Sequence, residues 1–202
     1  MDLKLERIWH RKGTGTPPDD FADHFYIHEI VFQCSVAENV FANMQHTFKV
    51  APRDGALLAL AHIILVAAGN VGKILSPPKG ENKKVRAARL RTALECDGVA
   101  FETIANARNY LEHFDERIER FVYSDEVGVT LHRLVTDSPV EMIRVGEEDL
   151  PARCLQHLNT NTLELTLMGE SINLSEVLAQ TKQIREKAEA YLAIRIDSRS
   201  KR

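Results

Sequence analysis

The side chains best placed to do chemistry lie in one six-residue string, Arg108-Asn109-Tyr110-Leu111-Glu112-His113. A guanidinium can clamp a phosphate through two parallel hydrogen bonds. An imidazole, titrating near neutral pH, can carry a proton to or from a ribose hydroxyl or a leaving oxygen. If the string is helical, Asn109 and His113 are four apart and share a face, so the amide can fix the ring's tautomer. Arg108 then points well over a right angle away from His113. One helix therefore cannot bring both onto the same phosphate. Two copies facing across a two-fold axis can, with two Arg, two Asn and two His in one cleft. That set suits RNA phosphodiester cleavage with the 2′-OH as nucleophile and no metal. The same residues also fit a plainer pattern, with Arg108, Glu112 and Asp115 as an ion-pair ladder and His113 and Arg117 on a solvated face.

An Arg-polar-x-x-x-His string on the last of four helices resembles the signature of the HEPN superfamily, the "higher eukaryotes and prokaryotes nucleotide-binding" domains. The resemblance covers residues 20–122, counting helix layout as well as motif. It implies a helical bundle that homodimerises so that two motifs meet. Arg108, Asn109 and His113 would be its catalytic set, with no cofactor. Many such proteins are metal-independent endoribonucleases in toxin–antitoxin or other defence systems. Others have lost catalysis and bind nucleotides or partner proteins, so the alternative expectation is a non-catalytic, antitoxin-like interaction or regulatory module.

Other strings carry less chemistry. Lys83, Lys84, Arg86, Arg89 and Arg91 make one predicted helix basic. They could meet RNA phosphates, or simply be a solvated face. No aromatic residue interleaves them to stack bases. His24 and His28 have the i, i+4 spacing that can hold a metal, but no third ligand is apparent, and no metal site is expected. Gly69-Asn70-Val71-Gly72-Lys73 is too short for a phosphate loop and reads as close helix packing. Cys34, Cys96 and Cys154 are widely spaced and read as reduced thiols.

Several elements must position these groups. Apolar periodicity predicts helices over about 20–49, 56–75, 82–96 and 99–122, with Asp54 capping the second. GVTLHRLV and TLELTLMG read as strands, with a hairpin around Asn159 to Asn161. Residues 124–150 otherwise read as loop. A last helix over about 174–194 is capped by Ser171 or Asn173, and the polar tail beyond it is expected to fray. The expected architecture is mainly α. An N-terminal arm over 1–19 precedes an up-and-down four-helix bundle over 20–123. Residues 124–202 form a small α+β annex, a hairpin plus a helix, packing on the bundle.

A chain of 202 residues with 44% hydrophobic and 27% charged residues is that of a globular protein. Its net charge of -3 gives no overall pull toward nucleic acid or anionic membrane, so such binding must come from a local patch. The charged N-terminus lacks a signal-like apolar core. Ala56–Leu75 could just span a bilayer, but His62, Asn70 and Lys73 interrupt it, and a buried core helix explains it better. No membrane is expected, and the expected location is cytoplasmic.

Overall fold

The computed structural model describes residues 19–97, 101–112 and 114–200. The arm expected over 1–19 therefore lies outside the described residues, apart from Asp19.

Helix α1, Asp19–Val50, buries Ile27, Ile30, Cys34, Ala37 and Met44. These are spaced three, four, three and seven residues apart and so form one stripe along its length. Helix α2, Ala56–Leu75, starts where Asp54 Oδ1 accepts the Ala56 N–H at 2.8 Å. By length and composition α2 could cross a membrane, yet 56% of its apolar window is buried by the rest of the chain. Leu57, Leu58, Ala61, Ile64, Leu65, Ala68, Val71 and Leu75 cover much of its circumference, as befits a helix packed on several sides.

Helix α3 is Glu81–Ala93, α4 is Glu102–Glu112 and α5 is Phe114–Val122. Strands β1 (Val129–Thr136), β2 (Met142–Val145), β3 (Glu148–Asn159), β4 (Glu164–Leu167) and β5 (Glu170–Asn173) follow, and helix α6 runs from Leu174 to Ser200. The sheet order is β1-β3-β4-β5, with β2 also paired to β3. β1 lies parallel to β3 and the other pairs are antiparallel. The predicted hairpin is the β3–β4 connection, where Asn159 Oδ1 accepts the N–H groups of Asn161 and Thr162 at 3.0 and 3.2 Å. β4 and β5 are joined by Met168 (φ 49) and Gly169 (φ 85), the two positive-φ positions of a tight primed turn. Of the two predicted caps of α6, Asn173 does the work. Its Oδ1 accepts from Ser175 and Glu176 N–H at 2.9 and 3.3 Å.

The expected fold class needs correction. Six helices and a five-stranded mixed sheet, counted among the described residues, make an α+β fold rather than a mainly α four-helix bundle with a small annex. The helical layer is also differently composed. α2 packs against α1 and α4, and α6 packs against α1, α2 and α4. α3 lies to one side, mainly against α2. The reason is burial capacity. α3 buries only Ala87 and Leu90, and Val85, read as part of its apolar side, is 56% exposed. α6 buries Leu174, Val177, Leu178, Ile184 and Ala188 at helical spacing. The sheet shares the same core, since Val135, Leu158, Leu165, Leu167 and Ile172 pack into one cluster with the helix residues. Residues 124–150 hold β2 and the start of β3 in addition to β1.

Candidate functional site

The seating of α4 decides which of its residues face solvent. Ile104 and Ala107 are fully buried. Ile104 lies so close to Gly72 of α2 that a Cβ there would meet its Cγ2 at 3.0 Å and its carbonyl oxygen at 3.3 Å. A small residue at this crossing lets the two backbones approach. With 104 and 107 turned inward, Asn106 and Asn109 emerge on the outer side, both exposed.

These two amides border an open groove of about 380 Å³. The other described side chains lining it are Arg117 of α5 and Glu170 and Ser171 of β5, so every one of the five is polar. Arg117 Nη1 donates to Glu170 Oε2 at 2.6 Å, tying α5 to the edge strand. The Ser171 and Thr166 hydroxyls lie 2.8 Å apart. The amides and the hydroxyl can donate to anionic oxygens, while the Arg117 guanidinium is engaged by Glu170.

Of the three residues predicted to be catalytic, only the Asn109 side chain is described, and it lines this groove. Arg108 belongs to the α4 backbone, but its side chain lies outside the described residues, as does the whole of His113. Sequence reasoning missed Arg117, Glu170 and Ser171 as groove residues. The available signal was the spacing of Asn109 and Arg117, eight apart and so on one face of any helix through them.

The predicted RNA-binding residues divide. Lys83 and Lys84 are exposed. The three arginines are engaged within the chain. Arg86 donates to Tyr26 Oη at 3.3 Å, lies 4.4 Å from that ring's centroid, and reaches the Lys73 and Ile74 carbonyls at 3.3 and 3.4 Å. Arg91 Nη1 donates to the Leu75 carbonyl at 2.6 Å. The two guanidiniums thus serve the open carbonyls at the C-terminus of α2, where positive charge is favoured. Arg89 grips Asp23 of α1 with two bonds of 2.7 Å. His24 and His28 pack ring to edge, with centroids 4.4 Å apart. No group of three metal-ligating side chains gathers among the described residues.

A second groove, about 320 Å³, lies over the sheet and is bordered by Phe121, Glu126, Arg153, Cys154, His157 and Thr166 among others. His157 Nε2 is 2.8 Å from Thr136 Oγ1, and that hydroxyl donates to the Ser138 carbonyl at 2.6 Å. The hydroxyl's proton is committed, so Nε2 carries the donor hydrogen. Burial lowers the His157 pKa and raises that of the Cys154 thiol. Arg153 donates to the Phe121 and Glu126 carbonyls, at 2.8 and 3.0 Å, and so anchors the end of α5. A neutral histidine, a protonated thiol and a committed arginine describe a structural seam more than a reactive centre.

Comparison with protein-family models, with curated proteins and with solved structures gives no match.

Proposed function

We propose that this protein is a HEPN-like, metal-independent endoribonuclease that works as a homodimer. The RNA 2′-OH attacks the adjacent phosphorus, the bond to the 5′-oxygen breaks, and a 2′,3′-cyclic phosphate and a 5′-hydroxyl form. Arg108 holds the scissile phosphate, Asn109 orients the histidine or a phosphate oxygen, and His113 moves the proton. The observation that carries this reading is that Asn109 opens onto a solvent-facing polar groove and not onto the core. A ligand can reach that part of the motif segment.

The test uses mixed-sequence single-stranded RNA in the presence of a chelator. Arg108→Ala and His113→Ala should each reduce cleavage by about a hundredfold or more while far-UV circular dichroism is unchanged. Intact RNA with the unmodified protein, or normal cleavage by both variants, would refute the reading. Light scattering after size exclusion should give a dimer, and a strict monomer would remove the two-copy site.

The second reading, a non-catalytic interaction module, has its own support. Phe25 and Phe32 on α1 are each 59% exposed, and Ile63 and Val66 on α2 are also exposed. Apolar side chains in such number suit a protein partner. On this reading RNA survives, and Phe32→Ser alters association with another chain.

A further inference from the structure

We infer that the groove over the sheet is a nucleobase subsite, in which His157 Nδ1 accepts a hydrogen bond from the base and Phe121 supplies an aromatic wall. This rests on the proposed reading of the protein as one that acts on RNA, and it names where a base of the strand is held.

The argument begins with a buried ring that is only half satisfied. His157 is 9% exposed, and its Nε2 is spent on the Thr136 hydroxyl. Nδ1 makes no hydrogen bond among the described residues, yet it is not one of the polar atoms sealed from solvent. The ring lines the groove, so that is where its second nitrogen can be met. With the proton on Nε2, Nδ1 is an acceptor, and a ligand must bring an N–H or O–H to it. The Thr166 hydroxyl lines the same groove and shares a 2.8 Å contact with Ser171 in which either atom can donate.

The remaining walls select for a flat, uncharged body. Phe121, Pro139, Val140 and Met168 are apolar. The two charged side chains lining the groove, Arg153 and Glu126, pair with each other at 3.2 Å. Arg153 also covers one face of Phe121, its guanidinium carbon 4.6 Å from the ring centroid, and so holds the ring in place. The volume of about 320 Å³ lies at the small end of ligand sites. A nucleobase has apolar faces and an edge that carries N–H groups, and proteins that read single strands hold such bases by ring contact and edge hydrogen bonds. The position is also right. Phe121 lies four residues beyond Arg117 on α5, about 5.4 Å along the helix on the same side. Thr166 and Ser171, in hydroxyl contact, line one groove each. The two grooves are therefore neighbours, and a strand lying along Asn109 can set a base over the sheet.

Cys154 makes the subsite measurable. It lines the groove and is half-buried, whereas Cys34 and Cys96 are fully buried, so N-ethylmaleimide should modify Cys154 first in the native protein. A mixed-sequence 2′-O-methyl hexanucleotide, which lacks the attacking 2′-OH, should slow that modification about fivefold or more at saturation, read by mass spectrometry. An abasic hexamer with the same phosphates should not. By anisotropy, Phe121→Leu should weaken hexanucleotide binding about tenfold. His157→Gln, which can keep a donor toward Thr136 but lacks the Nδ1 acceptor, should weaken it about fivefold. Neither should change binding of the abasic hexamer. The four nucleosides are tested in parallel, and protection by them but not by the hexanucleotide assigns the groove to a free nucleoside. Protection by neither, or equal protection by the abasic hexamer, overturns the proposal. The protection assay uses the unmodified protein, so poor folding of a variant cannot decide it. RNA cleavage without protection keeps the nuclease reading and removes the subsite; protection without cleavage does the reverse.

Discussion

The two sets of arginines, one on α3 and one at the Asn109 groove, invert what charge counting suggests. α3 is the most basic stretch of the chain, yet Arg86, Arg89 and Arg91 donate to Tyr26, Asp23 and the last carbonyls of α2. α5 reads as acidic in its first turn, with Asp115 and Glu116, yet its Arg117 borders an open polar groove. The difference lies in the partners. Backbone carbonyls at a helix end cannot move aside, and Asp23 is 5% exposed, so those charges belong to the fold. Glu170 sits half-exposed on an edge strand. Which ion pairs the fold depends on follows from how deeply the partner is buried, whatever the local charge density.

The Arg89–Asp23 pair is the strongest of these internal contacts. Arg89→Ala leaves the Asp23 carboxylate buried without its bidentate partner. The Arg89 side chain is 34% exposed, which places the cost between that of an exposed and a buried pair, about 2–3 kcal/mol. Urea denaturation should show this loss, while oligonucleotide affinity below the transition stays unchanged. A variant of full stability with weakened binding would instead make α3 the ligand surface.

A smaller effect sharpens the other side. Gly72→Val places a branched side chain where even a Cβ meets Ile104 at 3.0 Å. Overpacking of this kind costs about 1–3 kcal/mol. Because Ile104 seats α4, the variant should also misplace Asn106 and Asn109 and weaken ligand binding at the groove. Gly72→Ala should do less, since the Ile104 side chain can yield while its carbonyl cannot. Equal binding by Gly72→Val would show that the groove does not depend on how α4 is seated.

Much of the fold was legible in the residues, and the illegible parts have physical causes. The stripes of α1 and α2, the Asp54 and Asn173 caps and the Asn159 turn are local signals, settled within one or two helical turns or one loop. β5 has the sequence Glu-Ser-Ile-Asn, with only Ile172 to mark an inward face, and β3 contains Pro151, which argues against a strand unless its missing donor faces no partner. Which helix completes the layer was not local at all. α3 and α6 both look helical, and only the burial of Val177, Ile184 and Ala188 against other elements decides for α6. The groove has the same character, because Asn109, Arg117 and Glu170 come from three elements and meet only after the sheet has formed.

The smallest effect concerns cations that the fold suppresses instead of pairing. His62 of α2 has its Nε2 buried without a hydrogen-bond partner. Burial, and then the positive charge of Arg133, lower its pKa from 6.5. His157 is shifted the same way by burial, partly opposed by Glu164. Between the lowered folded values and 6.5, the unfolded chain binds more protons than the folded one. Stability is therefore complete above that window and falls as pH drops through it. Urea midpoints measured from pH 8 down to pH 5.5 should decline, and His62→Leu should flatten the decline without lowering the midpoint at pH 8. An unchanged slope would mean that His62 protonates freely in the fold. It would then be a basic group that water can reach, and charge state within the fold would no longer follow burial.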